Sequence, residues 1–134
     1  MKARTPAVIE RFYDWLPLDG EDKVIFSYSD GNATLDIEYR DDGKLLVRKV
    51  TFERVSHIFK GPIPGIDFLA FEFGDERLDV DCLVEFKNSE FANAYTKYRE
   101  DGIGAKLIIW KHYFVAFTSS NLVFHIFATD VYVS

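Results

Sequence analysis

The chain has 134 residues, of which 48% are hydrophobic and 16% aromatic. This much apolar surface excludes a disordered chain, and the length excludes two ordinary domains, so we expect one domain spanning residues 1–134. The net charge of −6 is repelled by phosphate backbones and anionic headgroups, and we therefore expect neither nucleic acid nor a membrane as partner.

The first predicted element is a helix. Thr5 followed by Pro6 resembles an N-cap with proline at the first helical position. The apolar residues that follow would share one helical face: Val8, Ile9, Phe12, Trp15 and Leu16. We predict a short amphipathic helix over residues 6–16, ended by Pro17.

Three strands are predicted next. A run of β-forming residues extends from Lys23 to Ser29, a strict apolar–polar alternation from Ala33 to Arg40, and a further strand from Lys44 to Phe52. The sequences Asp-Gly-Asn and Asp-Asp-Gly between them are turn signals. The pattern predicts an antiparallel meander with one solvated face.

Residues 60–65 contain two prolines and two glycines, which we interpret as a loop inside one domain. Strands are predicted beyond it over residues 66–73 and 78–86. In the second of these, Cys82 points inward. The acidic side chains of that strand are predicted to lie on its solvated face: Asp79, Asp81 and Glu85.

The last part of the chain contains the clearest helix signal and two long strands. The run Asn88-Ser89-Glu90 offers a cap and an early acid, which predicts a helix over residues 89–100. Strands are predicted over residues 105–118 and 122–133, joined by a short turn.

Together these elements predict an α+β fold, namely an antiparallel β-sheet of about six to seven strands with two helices packed on it. The abundance of β-forming residues, including 13 Phe and 7 Tyr, favours a dominant sheet. The pattern leaves open whether this sheet is flat, folded into a sandwich or partly closed as a barrel.

Two histidines on the final hairpin are the first candidates for chemistry. If residue 118 lies opposite residue 121, His112 lies opposite Phe127 and His125 opposite Phe114, so both imidazoles share one face. A three-residue loop would place them on opposite faces. The plainer interpretation is two amphipathic side chains with no role in ligand binding, because no third metal ligand is visible at a suitable spacing.

The same face contains aromatic residues of a kind that is enriched at protein interfaces. If it is exposed, it is the candidate binding surface; alternatively, one of the two helices covers it. The candidate binding residues are Trp110, His112, Phe114, His125 and Phe127.

Other chemistry is not supported by the sequence. The Ser119-Ser120 pair lacks the setting of a nucleophile and is interpreted as a turn. Cys82, the only cysteine, excludes an intrachain disulfide and favours a reducing, cytoplasmic location. We expect no catalytic residues, no metal and no cofactor.

Three functions follow by elimination. The leading hypothesis is a small cytoplasmic protein-binding module, such as an inhibitor, an immunity-type protein or a regulatory partner. The sequence favours a protein that is not an enzyme. Its negative charge would steer it towards a basic surface on the partner. The alternative is a small-molecule-binding or hydrolytic domain that uses His112 and His125 with an acid such as Asp130 in a pocket between helix and sheet. The third is a self-associating structural domain, for example a homodimer.

Overall fold

Nine strands in two antiparallel sheets, one α-helix and one short 3-10 helix make up the described part of the chain. The computed structural model describes residues 1–63, 73, 79–103 and 108–134. The strands are β1 (Ala3–Arg11), β2 (Lys23–Ser29), β3 (Asn32–Asp41), β4 (Lys44–Glu53), β5 (His57–Gly61), β6 (Cys82–Ser89), β7 (Lys111–Phe117), β8 (Leu122–Ala128) and β9 (Asp130–Val133). The helices are the 3-10 turn Phe12–Asp14 and α1 (Glu90–Ile103).

The two sheets have the strand orders β1-β6-β7-β8-β5 and β2-β3-β4-β9. Their facing sides share one apolar core, to which the four-stranded sheet contributes residues such as Leu35 and Phe52 and the five-stranded sheet residues such as Val115 and Phe124. The predicted α+β class with a single sheet of six to seven strands and two helices is therefore wrong. The error arises because alternation within a strand reveals its buried face but not which sheet it joins.

The predicted meander is confirmed. β2, β3 and β4 pair in order, and the alternating residues Leu35, Ile37 and Tyr39 are buried. Both connections are two-residue turns in which the central Asp and Gly have positive φ, as at Asp30 and Gly31. This geometry matches the right-handed twist of the flanking strands, so the turn residues set the register.

The strand predicted over 122–133 is two strands separated at Thr129. β8 belongs to the five-stranded sheet and β9 to the four-stranded sheet. The Thr129 backbone N–H donates to the carbonyl oxygen of Glu53 at 2.9 Å, at the point where the chain leaves β4 for β5. Among the described strands, two of the three crossings between the sheets therefore lie side by side, and the third leads from β1 to β2.

The predicted helix over residues 6–16 is also wrong. Its first part is β1, which pairs with β6 from Ala3 opposite Ser89 to Arg11 opposite Cys82, with a register shift around Ile9. Only three residues, Phe12–Asp14, are helical. A short apolar run fits a strand as well as a helix. Here the strand forms because it can pair with the edge of β6.

The acidic strand is only partly as predicted. Residues 66–72 and 74–78 lie outside the described residues, and regular structure begins at Cys82. Cys82 is buried as expected, but Glu85 has only 9% of its surface exposed. Glu85 is covered because β6 lies inside the sheet, between β1 and β7, so that both of its faces are packed. The short strand β5 was missed, since its last residues fall in the predicted loop.

The helix predicted over 89–100 is confirmed as α1. The Ser89 hydroxyl accepts a hydrogen bond from the backbone N–H of Ala92 at 3.3 Å, as an N-cap should. Ala92 and Phe91 pack onto the outer face of the five-stranded sheet against Phe114 and Phe127. The fold thus has three layers, with the five-stranded sheet in the middle. No helix among the described residues is long and apolar enough to cross a membrane.

The shared core provides a direct test of this arrangement. Ile37 is fully buried between the sheets, whereas Ile25, on the outer face of the same sheet, has 40% of its surface exposed. We expect Ile37→Ala to lower the free energy of unfolding by about 2–5 kcal/mol, through lost burial and a residual cavity. Ile25→Ala should cost less than about 1 kcal/mol. Equal losses in chemical denaturation would contradict the placement of the core.

Candidate functional site

The two histidines of the final hairpin lie on one face. β7 and β8 pair with His112 opposite Phe127 and Phe114 opposite His125, and the closing loop of residues 118–121 preserves that register. The register on which the prediction depended is therefore present, and His112 and His125 share one face as predicted. The residues on the other face of the hairpin, such as Tyr113 and Phe124, belong to the core between the sheets.

The histidines form a buried hydrogen-bonded chain. The Ser89 hydroxyl and His112 Nδ1 are 2.8 Å apart, and His112 Nε2 and His125 Nδ1 are 2.7 Å apart. All three residues are at most 2% exposed. Because a single proton lies between the two rings, the tautomer of one histidine determines that of the other. The chain links the start of α1 to the middle of the sheet.

Burial keeps both histidines neutral. Loss of solvation lowers the pKa of His112 to about 2, and the charge of a protonated His125 would lower it in the same direction. Loss of solvation alone lowers the pKa of His125 to about 3. Neither imidazole therefore titrates near neutral pH.

All five candidate binding residues predicted from the sequence are interior. Trp110 has 8% of its surface exposed, and the other four have at most 1%. The covering layer includes α1, through Phe91, which lies 4.4 Å from Phe127 between ring centroids. The sequence left open whether this face is an exposed binding surface or is covered by a helix, and in the structure it is covered.

The proposed acid, Asp130, is not part of this group. It lies on β9, where its carboxylate accepts a hydrogen bond from the backbone N–H of Val131. Its charge acts instead on Tyr113, whose side chain faces the core between the sheets. Burial, Glu85 and then Asp130 raise the pKa of that phenol. Asp130 and the histidines therefore lie on opposite sides of β7.

The remaining nucleophile candidates are bonded as structural groups. The Ser119 hydroxyl donates to the carbonyl oxygen of Asp19 at 2.9 Å, and the Ser120 hydroxyl donates to the Glu21 carboxylate at 3.0 Å. Burial and the charge of Asp79 raise the pKa of the Cys82 thiol to about 11. At neutral pH this cysteine is therefore a protonated, unreactive core residue.

A different location has the features of a binding site. A cleft of about 410 Å³ lies between the crossing from β4 to β5, the middle of α1 and the residues before β7. This volume falls within the range of roughly 300–1,000 Å³ typical of ligand sites. The cleft is lined by Arg54, Val55, Ser56, Tyr95, Arg99, Ile108 and Trp110.

Trp110 forms a fixed wall of the cleft. Its indole Nε1–H donates to the carbonyl oxygen of Arg54 at 3.0 Å, and its backbone N–H donates to the Thr96 hydroxyl at 3.0 Å. Tyr95 meets the indole edge-on at 5.1 Å, and the guanidinium carbon of Arg99 lies 5.6 Å from the ring centroid. The aromatic groups and one guanidinium are thus held in place without a ligand.

Arg54 has an uncommon backbone conformation. Its φ is 52°, and four of the other five non-glycine residues with positive φ in the described chain are Asp or Asn, which tolerate this region. The Arg54 N–H donates to the Asn32 side-chain oxygen at 3.3 Å, and its carbonyl oxygen accepts from Trp110. These two bonds hold the strained residue with its side chain exposed, an arrangement found at functional sites.

Sequence reasoning identified Trp110 but missed the two arginines and Tyr95. The only available signal was the i,i+4 spacing of Tyr95 and Arg99 on a predicted helix, which places them on one helical face. Nothing in the sequence relates residue 54 to that face, because the crossing between sheets that brings Arg54 there was not foreseen.

Comparisons with protein-family models, with curated proteins and with solved structures give no match. Within the described residues, no group of three or more His, Cys, Asp or Glu side chains is arranged to hold a metal ion. The interpretation of the cleft therefore rests on its own geometry.

The neutral histidines lead to a pH prediction. Each histidine ordinarily titrates near pH 6.5, so between pH 6.5 and about 3 the unfolded chain binds protons that the folded chain does not. The free energy of unfolding should therefore fall as the pH falls through this window, by up to about 1.4 kcal/mol per pH unit for each histidine. Urea denaturation at a series of pH values measures this slope.

The double variant His112→Leu/His125→Leu is the matched control. It removes both titrating groups together, so the slope in this window should decrease to that of the carboxylates alone. At neutral pH the double variant should lose less stability than the sum of the losses in the two single variants. Each single variant leaves the remaining buried histidine without the hydrogen bond between the two rings. An unchanged slope in the double variant would show that the histidines do not carry this pH dependence.

Proposed function

We propose that this chain is a non-catalytic protein-binding module, such as an inhibitor, an immunity-type protein or a regulatory partner, that binds through the region around the cleft. The observation on which this depends is a group of exposed apolar, aromatic and arginine side chains beside the buried Trp110. We call it the junction surface; its residues are Arg54, Tyr98, Arg99 and Ile108.

Exposure supports this assignment. Tyr98 has 70% of its surface exposed and Ile108 38%. Tyr, Trp and Arg are the residues most enriched at interface hot spots, whereas exposed apolar groups of this kind are costly on a surface that binds nothing. The adjoining cleft is open to solvent, which suits a protruding side chain of a protein partner better than an enclosed small molecule.

The state of the histidines supports a non-enzymatic role. His112 and His125 were the sequence's best candidates for acid–base chemistry, and both are buried and neutral. Their hydrogen bonds with each other and with Ser89 tie the helix to the sheet. A structural role accounts for every contact described for them.

Charge and cysteine content complete the proposal. The net charge of −6 favours a partner whose overall charge is positive, because long-range attraction raises the rate of encounter. A single, buried cysteine suits a reducing compartment, and we propose a cytoplasmic location.

The test compares two exposed aliphatic positions. Ile108→Asp places a charge in the junction surface, and Val47→Asp places one at an exposed site on β4, since these side chains are 38% and 53% exposed. Both variants should fold with unchanged stability within about 0.5 kcal/mol. In affinity purification from source cells, a stoichiometric protein should accompany the wild type and Val47→Asp but not Ile108→Asp.

Two outcomes would argue against the proposal. One is that no stoichiometric protein accompanies the wild type. The other is a partner that Ile108→Asp retains as well as Val47→Asp does, since binding would then use another surface.

A further inference from the structure

Two arginines share the cleft without a described acidic partner. Among the described residues, the ion pairs involve Arg40, Lys49 and Lys87, and neither Arg54 nor Arg99. The chain has 22 acidic residues, so carboxylates are not scarce. Two guanidinium groups on one cleft repel each other, and an anion between them would relieve that repulsion.

The acidic residues nearest in sequence do not line the cleft. Glu53 precedes Arg54, but it lies opposite Asp130 in the pairing of β4 with β9. Glu100 follows Arg99, and it lines a separate depression. The cleft therefore has a locally positive lining in a chain of negative net charge.

One arginine is held through its backbone and the other through its guanidinium group. The Arg54 backbone is fixed on both sides by Asn32 and Trp110, whereas its side chain is exposed. Arg99 lies over the face of the Trp110 indole, which leaves the N–H edges of its planar group available. These contacts reduce the entropy lost on binding.

The lining favours a carboxylate over a phosphate. Tyr95 and Arg99 line the cleft from the middle of α1, away from both ends of the helix dipole, and no helix N-terminus among the described residues lines it. A doubly charged phosphate would gain no backbone N–H donors there and would be opposed by the net charge. A singly charged carboxylate fits the planar donor edges of arginine.

The apolar lining indicates what accompanies the carboxylate. Val55, Tyr95 and Ile108 form walls beside the arginines. An aromatic or aliphatic group next to the acid would pack against these walls and against Trp110.

We infer that the cleft binds an acidic side chain of the partner protein, with its carboxylate between Arg54 and Arg99 and a neighbouring apolar residue against the aromatic wall. This inference rests on the proposed function, since it names the chemistry of the segment that the junction surface recognises. A partner of positive net charge can present such a segment. Its net charge attracts it to this chain during the approach, whereas the contact between its carboxylate and the two arginines forms only after the surfaces meet.

The experiment uses the full chain and two blocked dipeptides, acetyl-Phe-Glu-amide and acetyl-Phe-Gln-amide, which differ only in the charge. Binding is followed by NMR from the indole N–H of Trp110, the donor to the Arg54 carbonyl. The Glu dipeptide should shift this signal saturably and bind about tenfold or more tightly than the Gln dipeptide. Phenyl phosphate tests the other anion and should bind more weakly than the Glu dipeptide.

The variants locate the effect. Arg54→Gln and Arg99→Gln should each weaken binding of the Glu dipeptide about tenfold. Arg40→Gln is the matched control, since its exposed side chain pairs with Asp22 outside the cleft, and it should leave binding unchanged. Equal binding of the two dipeptides, tighter binding of phenyl phosphate, or an equal effect of Arg40→Gln would overturn the inference.

The outcome is separable from that of the proposed function. If Ile108→Asp abolishes capture of the partner while Arg54→Gln and Arg99→Gln retain it, the module binds protein and the carboxylate inference is wrong. If Ile108→Asp has no effect on capture, the proposed function fails whatever the dipeptides do.

Discussion

The five-stranded sheet requires cover on both of its faces, and the rest of the structure follows from that requirement. In β7 and β8 every residue after Lys111 is apolar or is a buried histidine, so neither face can be left to water. The four-stranded sheet covers one side. Helix α1 and its neighbours cover the other. The chain must therefore cross between the sheets, and two of its three described crossings, at Ser56 and Thr129, lie together.

The covered outer face contains an unusual polar element. His112 and His125 bring polar nitrogen atoms into an apolar layer, where each needs a hydrogen-bonding partner. The chain from Ser89 through His112 to His125 provides a partner for both nitrogens of His112 and for Nδ1 of His125, and the same Ser89 hydroxyl caps α1. The position of the helix is thereby coupled to the register of the hairpin. A polar chain of this kind specifies one arrangement at the cost of stability in acid.

The candidate binding site is a consequence of the layering. Where three layers meet, their ends do not close completely, and the cleft lies in that gap. Its residues come from the crossing at Arg54, from Tyr95 and Arg99 on α1, and from Trp110 before β7. The hairpin register and the shared face of the histidines were predictable, because alternation and one turn determine them. The cleft was not, because it depends on a crossing that alternation does not encode.

The sequence by itself determined the local elements: the meander with its Asp-Gly turns, helix α1 with its Ser89 cap, and the closing hairpin. Each depends on contacts between residues close along the chain. The tertiary structure decided the rest. Residues 3–11 became a strand because β6 offered them an edge, and Glu85 became buried because β6 lies between two other strands. Such outcomes depend on partners distant in sequence, and a local pattern contains no information about them.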